Sequence, residues 1–164
     1  MNRTCFNGLY RVNSKKEFNV PFGRYSNPKI CDAENIEAVS ALLQNVIILN
    51  GDYQETLQHA EKNSFFYFDP PYKPLNKTSS FNAYAAEVFN DEQQERLAGF
   101  CRKIDAEGHQ WLLSNSDMKN ENEDDHYFDN LYSGFNIKRV KAKRMINSNS
   151  LKRGAIDEVL IKNY

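Results

Sequence analysis

The stretch FFYFDPPY, residues 65–72, decides how the rest of the chain is interpreted. Its four aromatic residues, 65–68, predict a short buried strand, and the strand is followed at once by Asp69. Pro70 and Pro71 fix their own φ angles and push the preceding residue toward extended geometry, so the turn after the strand is stiff. Because ligands of open α/β sheets bind beyond the carboxyl ends of the strands, Asp69 is predicted to stand in a binding site.

The four residues Asp69, Pro70, Pro71 and Tyr72 suit the binding of an exocyclic amino group on a flat heterocycle. The carboxylate of Asp69 accepts one N–H, and the carbonyl of Pro70 accepts a second. Two acceptors on one NH2 group draw its lone pair out of conjugation and direct it at an electrophile such as a methyl donor. Tyr72 supplies a ring on which the base stacks. We therefore predict that these four residues are catalytic; the alternative is a strand that simply ends in a turn of two prolines.

Strands and helices alternate along the sequence, which favours an α/β fold with a largely parallel sheet. Apolar periodicity and capping residues predict helices over 32–44, 53–61 and 91–107. Short apolar runs predict strands over 46–49, 65–68 and 111–113, a short strand or hairpin around 17–20, and a closing antiparallel hairpin of residues 137–145 and 157–162.

Composition narrows the class of protein. A chain of 164 residues predicts one domain, and a net charge of −1 gives no overall basic signature. No apolar stretch is long enough to span a bilayer, and no signal peptide is recognisable. The three cysteines, Cys5, Cys31 and Cys101, are widely spaced and form no CxxC pair, so neither a metal site nor a disulfide framework is indicated. Free thiols favour the reducing cytoplasm.

The motif and its surroundings resemble the Dam-type, or D12 class, adenine-N6 DNA methyltransferases. The segments that carry the resemblance, in the order of that family, are 2–13, 17–25, 69–72, 74–84, 91–94, 114–115 and the closing hairpin. The resemblance covers nearly the whole chain. It implies a Rossmann-like sheet, S-adenosylmethionine as cofactor, and double-stranded DNA as substrate. The methyl group would go to N6 of an adenine in a short palindrome, typically GATC, after the base is flipped out of the duplex.

The same resemblance assigns roles by position. Asp69, Asp52 and Tyr53 would contact the cofactor. Arg11 would read a guanine through a bidentate contact to O6 and N7, although a phosphate contact is the alternative, and Phe6 would insert near the flipped base unless it is a core aromatic. The other implied DNA contacts are Asn7, Leu9, Pro21, Arg24, Tyr25 and, in the loop expected to close over the target, Phe81 and Tyr84.

Part of the family's pattern is not found in this sequence. Dam-type enzymes open with a Trp-Ala-Gly-Gly-Lys-like segment and a Phe-x-Gly-x-Gly loop that hold the cofactor, and no glycine-rich loop follows any predicted strand here. Residues 1–30 are therefore expected to be a remnant of the DNA-recognition region, and 31–164 the C-terminal part of the catalytic domain. We expect the chain alone to be inactive, to bind cofactor weakly, and to leave a sheet edge exposed for a missing N-terminal half or a restriction-system partner.

Two other functions remain open. A related methyltransferase acting on RNA or on a glutamine side chain would share the motif, but those enzymes usually carry Asn at its first position and would lack the Arg11 region. A non-catalytic DNA-binding remnant would share the Arg11 region without the chemistry. An adjacent reading frame that encodes the glycine loop would favour a split enzyme over such a remnant.

Overall fold

The computed structural model describes residues 4–8, 10–75, 89–143 and 155–164, with only the backbone at Asn7, Lys143 and Ala155. The chain divides into two compact units, Met1–Asn50 and Gly51–Tyr164. Within the described ranges, no helix has the length and the apolar character needed to cross a membrane.

A mixed four-stranded sheet organises the unit Gly51–Tyr164. Its strands are β1 (Phe65–Phe68), β2 (Gln110–Ser116), β3 (Asn136–Lys143) and β4 (Ala155–Lys162), in the order β1-β2-β4-β3. The β1 and β2 strands are parallel, whereas β4 pairs antiparallel with both β2 and β3. The α/β class and the closing hairpin are thus confirmed, but the expectation of a largely parallel sheet is wrong. Parallel neighbours need a crossover connection of about a dozen residues or more, whereas β3 ends at Lys143 and β4 begins at Ala155.

The described residues contain three α-helices. The N-terminal unit holds α1 (Ala33–Leu43), and Gly51–Tyr164 holds α2 (Asp91–Ala106) and the single-turn α3 (Tyr127–Leu131). The predicted helix after residue 90 is confirmed, since the Asn90 side chain accepts a hydrogen bond from the Gln93 N–H at 3.0 Å. At its other end Gly108 adopts φ +82°, a left-handed conformation that glycine takes without strain. The helix predicted over 53–61 is a 3-10 segment, Tyr53–His59.

The core of this unit lies between α2, α3 and one face of the sheet. Trp111, Leu113, Val159 and Ile161 are fully buried on that face. Because side chains alternate across a strand, Phe65 and Tyr67 of β1 point to the opposite face, where they are 53% and 57% exposed. One face of the sheet is therefore covered by helices of the same unit, and the other carries exposed aromatic rings.

The N-terminal unit contains α1 and a tight hairpin turn. Val12 and Phe18 form an antiparallel bridge, and the Asn13 N–H donates to the Glu17 carbonyl at 2.9 Å, in line with the predicted hairpin. The strand predicted over 46–49 does not form: its four side chains are 44–72% exposed and no described residue pairs with it. A strand is stable only when its backbone groups are paired, so an apolar run without a neighbour stays irregular.

Candidate active site

The motif Asp69–Tyr72 stands at the carboxyl end of β1, as predicted. Because β1 and β2 are parallel, with Phe68 opposite Leu113, their ends point to the same edge of the sheet. The β2 strand runs on to Ser116 and so brings the polar sequence Ser-Asn-Ser, residues 114–116, beside the motif. The edge predicted to bind a ligand thus combines the motif with polar side chains from a second strand.

Ser114 orients the Asp69 carboxylate. Its hydroxyl donates to Asp69 Oδ1 at 3.2 Å, and the Tyr67 hydroxyl lies 3.1 Å from the same Ser114 Oγ. Ser114 itself is buried. A carboxylate held by a buried hydroxyl keeps further lone pairs for N–H donors, so Asp69 is placed to accept an amino group.

Two buried amides hold the backbone that follows the prolines. The Lys73 N–H donates to Asn115 Oδ1 at 2.9 Å, and Asn115 Nδ2 donates to Gln94 Oε1 at 3.4 Å. Gln94 Nε2 in turn reaches the Pro71 carbonyl at 3.5 Å. Gln94 and Asn115 are both fully buried. Because a buried polar group is costly unless it is paired, this chain of amides fixes the path of the motif.

The Tyr72 ring is fixed at its outer end. Its hydroxyl donates to Glu158 Oε2 at 3.4 Å, and Glu158 lies on β4 opposite Ser116. Burial raises the pKa of the Tyr72 phenol; the charges of Glu158 and Asp69 raise it further, while a hydrogen bond with Ser114 acts in the opposite direction. The phenol therefore remains protonated, and can donate, at neutral pH.

Lys73 ties the end of the motif to the start of α2. Its ammonium forms an ion pair with Asp91 and lies 4.2 Å from the centroid of the Tyr127 ring. The Lys73 side chain is mostly buried against these partners, so the residue after the motif is anchored as firmly as the motif itself.

Asp52 and Tyr53, the other predicted cofactor residues, begin the 3-10 segment of the same unit. Asp52 Oδ2 accepts from Arg96 Nη1 at 2.7 Å and Oδ1 from the Gln54 N–H at 2.9 Å. The Arg96 hydrogen bond, and then that of Gln54, hold the pKa of Asp52 below its ordinary value. The Tyr53 ring packs 5.4 Å from that of Phe100.

The structure brings Tyr53 to the β1 strand. Phe100, which touches Tyr53, also lies 6.0 Å from the ring of Phe68 at the end of β1. Tyr53 and residues 65–68 line a common cavity of about 360 Å³. Tyr53 therefore lies beside the strand that leads into the motif; its contact with a cofactor stays a prediction.

The predicted DNA contacts of the N-terminal unit are mostly exposed. Phe6 is 51% exposed, and its N–H donates to the Pro21 carbonyl at 2.9 Å. Arg11 is held by Asn19, with Nε 2.9 Å from Oδ1 and Nη2 3.1 Å from the carbonyl. Arg24 and Tyr25 are exposed. Leu9, Phe81, Tyr84 and the side chain of Asn7 lie outside the described residues.

Four residues of the site were not predicted from the sequence: Ser114, Asn115, Gln94 and Glu158. Two signals were available. The run 114–116 is a set of small polar residues at the end of an apolar strand, and Gln94 lies three residues before Leu97 on the apolar face of α2, where a polar side chain needs a buried partner. Glu158 gave no local signal, since an acid on a strand near the C terminus is ordinary.

Comparison with known proteins gives one family throughout. A family model described as D12 class N6 adenine-specific DNA methyltransferase matches residues 1–146. Among curated relatives, Type II methyltransferase M.MjaIII of Methanocaldococcus jannaschii is 57% identical over all of this chain and 55% of its own length. Type II methyltransferase M1.LlaDCHI of Lactococcus lactis subsp. cremoris is 45% identical over all of this chain and 56% of its own length. The DNA adenine methylase of Haemophilus influenzae is 38% identical over 98% of this chain and 54% of its own length. The chain thus spans about half the length of the curated relatives that it matches.

Proposed function

We propose, from the premise that the chain belongs to the D12 class of N6 adenine-specific DNA methyltransferases, that Asp69–Tyr72 binds the amino group of a target adenine for methylation at N6. The observation that carries this proposal is the placement of Asp69 at the carboxyl end of β1, with its carboxylate oriented by Ser114 at 3.2 Å. A base inside a duplex cannot reach such a site, so the adenine must be flipped out of the helix. A GATC palindrome is the proposed site, and relatives named DNA adenine methylase support it.

Each residue of the motif has its own proposed role in binding the base. Asp69 accepts one N–H of the amino group and the Pro70 carbonyl accepts the other, so the nitrogen lone pair turns toward the methyl donor. Pro70 and Pro71 hold both acceptors in a fixed geometry, which is what catalysis by preorganised dipoles requires. The Tyr72 ring gives the flipped base a surface for stacking.

Asp52 and Tyr53 fit the needs of S-adenosylmethionine at its adenosine end, and Asp69, which binds the target amino group, would lie where the cofactor approaches. Carboxylates accept from the hydroxyl and amino donors of an adenosine, and Tyr53 offers an aromatic ring in the region of β1. The cofactor, when bound, supplies an electrophilic methyl group on sulfur. We propose that residues corresponding to the unmatched part of the relatives hold the remaining part of such a ligand and complete the site.

The decisive experiment is transfer of labelled methyl from S-adenosylmethionine to an unmethylated GATC duplex. The chain is assayed alone and with the unmatched half of the Methanocaldococcus relative, and a duplex with a scrambled site is the control. We expect transfer only after complementation. Asp69→Ala should abolish it without weakening DNA binding, whereas Asp124→Ala, which removes an exposed acid from a surface loop, should leave it unchanged. Equal transfer by Asp69→Ala would refute the catalytic assignment.

A second candidate is a DNA-binding module without catalysis, and the exposed side chains of Phe6, Arg11 and Tyr25 in the N-terminal unit are the observation that favours it. This candidate predicts a different result. The chain would bind a GATC duplex in an anisotropy titration, and no complementing fragment would produce methyl transfer. That result would displace the proposed enzyme function in favour of the module.

A further inference from the structure

A row of polar side chains crosses the face of the sheet opposite α2 and ends at the motif. Its members come from three strands, and we call them the polar row: Tyr67, Ser114, Ser116 and Glu158. Leu113 and Asn115 point into the core, so the residues that alternate with them on β2, Ser114 and Ser116, face the other way. Glu158 lies opposite Ser116 in the antiparallel register, which places its carboxylate in the same row.

Glu158 holds the outer end of the Tyr72 side chain. The phenol donates to Glu158 Oε2 at 3.4 Å across a separation of 86 residues. At the other end, the backbone of the motif is fixed by the Gln94 contact to the Pro71 carbonyl at 3.5 Å. A tyrosine ring turns about two side-chain torsions, and fixing both the backbone and the phenol oxygen removes that freedom.

Apart from its hydrogen bond to Tyr72, the carboxylate of Glu158 is unfavourable at this edge of the sheet. It lies close enough to Asp69 and Tyr72 for both carboxylates to act on the same phenol, and it would repel the phosphates of an approaching duplex. A glutamine would accept the same hydrogen bond without the charge. The carboxylate has one advantage: a hydrogen bond to an ionised acceptor is stronger than a neutral one.

We propose that Glu158 is a positioning residue, which acts through the Tyr72 phenol to hold the ring in the orientation on which the target base stacks. The proposal rests on the proposed function for its consequence in catalysis, but the tether between Glu158 and Tyr72 can be tested without it. Ser114 of the same polar row contacts both Asp69 Oδ1, at 3.2 Å, and the Tyr67 hydroxyl, at 3.1 Å.

The tether is tested by fluorine NMR of the full chain labelled with 3-fluorotyrosine. The chain has nine tyrosines, and Tyr72→Phe identifies the resonance of interest. In Glu158→Gln, we expect that resonance to move and the pKa of Tyr72 to fall, because a charge that raises it is gone, while the other resonances stay in place. Glu107→Gln, which removes an exposed acid at the end of α2, is the matched control and should change nothing. An unmoved Tyr72 resonance in Glu158→Gln would overturn the proposal.

A double-mutant cycle in the complemented methyl-transfer assay tests the consequence. We expect Glu158→Ala and Tyr72→Phe each to lower kcat/KM by about tenfold, the loss of one charge-assisted hydrogen bond, and the double variant to lose no more than either single one. Losses that multiply would show that Glu158 does not act through Tyr72, and would overturn the proposal. No transfer by the unsubstituted complex would instead refute the proposed function, and the NMR result would still decide the tether.

Discussion

The two compact units of the chain differ in where their apolar side chains lie. In Gly51–Tyr164, α2 packs Leu97, Phe100 and Ile104 against a buried sheet face. In Met1–Asn50, α1 buries none of its residues. Of the seventeen large apolar side chains that are exposed among the described residues, fourteen belong to this N-terminal unit. The residues proposed for chemistry thus lie on a unit with its own core. Most of those proposed for DNA recognition, all but Phe81 and Tyr84, lie on a unit whose apolar surface is of the kind that marks a contact.

The largest expected difference is in the free energy of unfolding of two matched helix variants. Leu97 of α2 is 2% exposed and Leu42 of α1 is 71% exposed. Leu97→Ala should lower the stability by about 2–5 kcal/mol, because it removes buried methyl groups and leaves a cavity. Leu42→Ala should change it by less than about 0.5 kcal/mol. Denaturant unfolding measures the two variants with separate probes: the fluorescence of Trp111, the sole tryptophan, for Leu97→Ala, and a dye on Cys31, an exposed thiol of the N-terminal unit, for Leu42→Ala.

A comparable loss in Leu42→Ala would mean that the apolar face of α1 is covered in solution. Sedimentation of the unsubstituted chain would then show whether a second copy covers it. The contrast between the units in buried apolar surface would in that case not hold for the chain in solution.

A smaller loss is expected from Arg139→Gln, which breaks a charged network that joins β3 to the end of β2. Arg139 Nε donates to Asp117 Oδ2 at 2.7 Å, and Nη2 donates to both Asp129 oxygens, at 3.1 and 2.8 Å. The Asp117 side chain is only 4% exposed, so the variant leaves a buried carboxylate short of a partner, at a cost of about 1–3 kcal/mol in chemical denaturation. A loss as small as that of Leu42→Ala would show that Lys119 and its neighbours compensate.

The same network gives the stability a pH dependence. Burial of Asp129 raises its pKa, but the hydrogen bonds and charge of Arg139, with those of Lys119, outweigh burial and hold the pKa below the ordinary 3.8. A carboxyl with a depressed folded pKa adds stability above its unfolded pKa and loses it as the pH falls through the folded one. The unsubstituted chain should therefore lose stability steeply below about pH 4, and Arg139→Gln should flatten that slope in thermal scans.

The features that the sequence could predict depend on interactions within one segment, and those that it could not predict depend on contacts between distant segments. The bounds of α2 follow from Asn90, Gly108 and an apolar stripe, all within one segment. The run 46–49 has the composition of a strand, but a strand depends on a neighbour that no local pattern supplies. The position of Asp69 was predictable because β1 and its turn are contiguous. The contacts that orient it were not, since Ser114 and Glu158 come from strands 45 and 86 residues further along the chain than the motif residues they touch.

Arg11→Ala tests whether recognition belongs to the N-terminal unit. If Arg11 reads a guanine, its loss should reduce discrimination at one position by about 1–3 kcal/mol, while the salt dependence of binding changes little. Lys15→Ala, a nearby exposed cation, is the matched control and should leave the preference unaltered. The measurement is binding of the chain to GATC duplexes and to duplexes with one guanine replaced. Equal weakening on every sequence, with a shallower salt slope, would assign Arg11 to a phosphate.

The smallest expected change in stability, that of Gly99→Ala, tests whether the two units unfold separately. Gly99 is exposed within α2, and an added Cβ there meets nothing within 4 Å. Gly99→Ala should therefore stabilise the unit Gly51–Tyr164 by about 0.5–1 kcal/mol, because alanine loses less backbone entropy in a helix. Gly108→Ala, at φ +82°, is the opposite control and should destabilise it by about 1 kcal/mol.

Two probes follow the two units: Trp111 fluorescence reports Gly51–Tyr164, and a dye on Cys31, an exposed thiol, reports Met1–Asn50. We expect the Trp111 midpoint to rise in Gly99→Ala while the Cys31 midpoint stays in place. Coincident shifts would mean that the two units unfold as one.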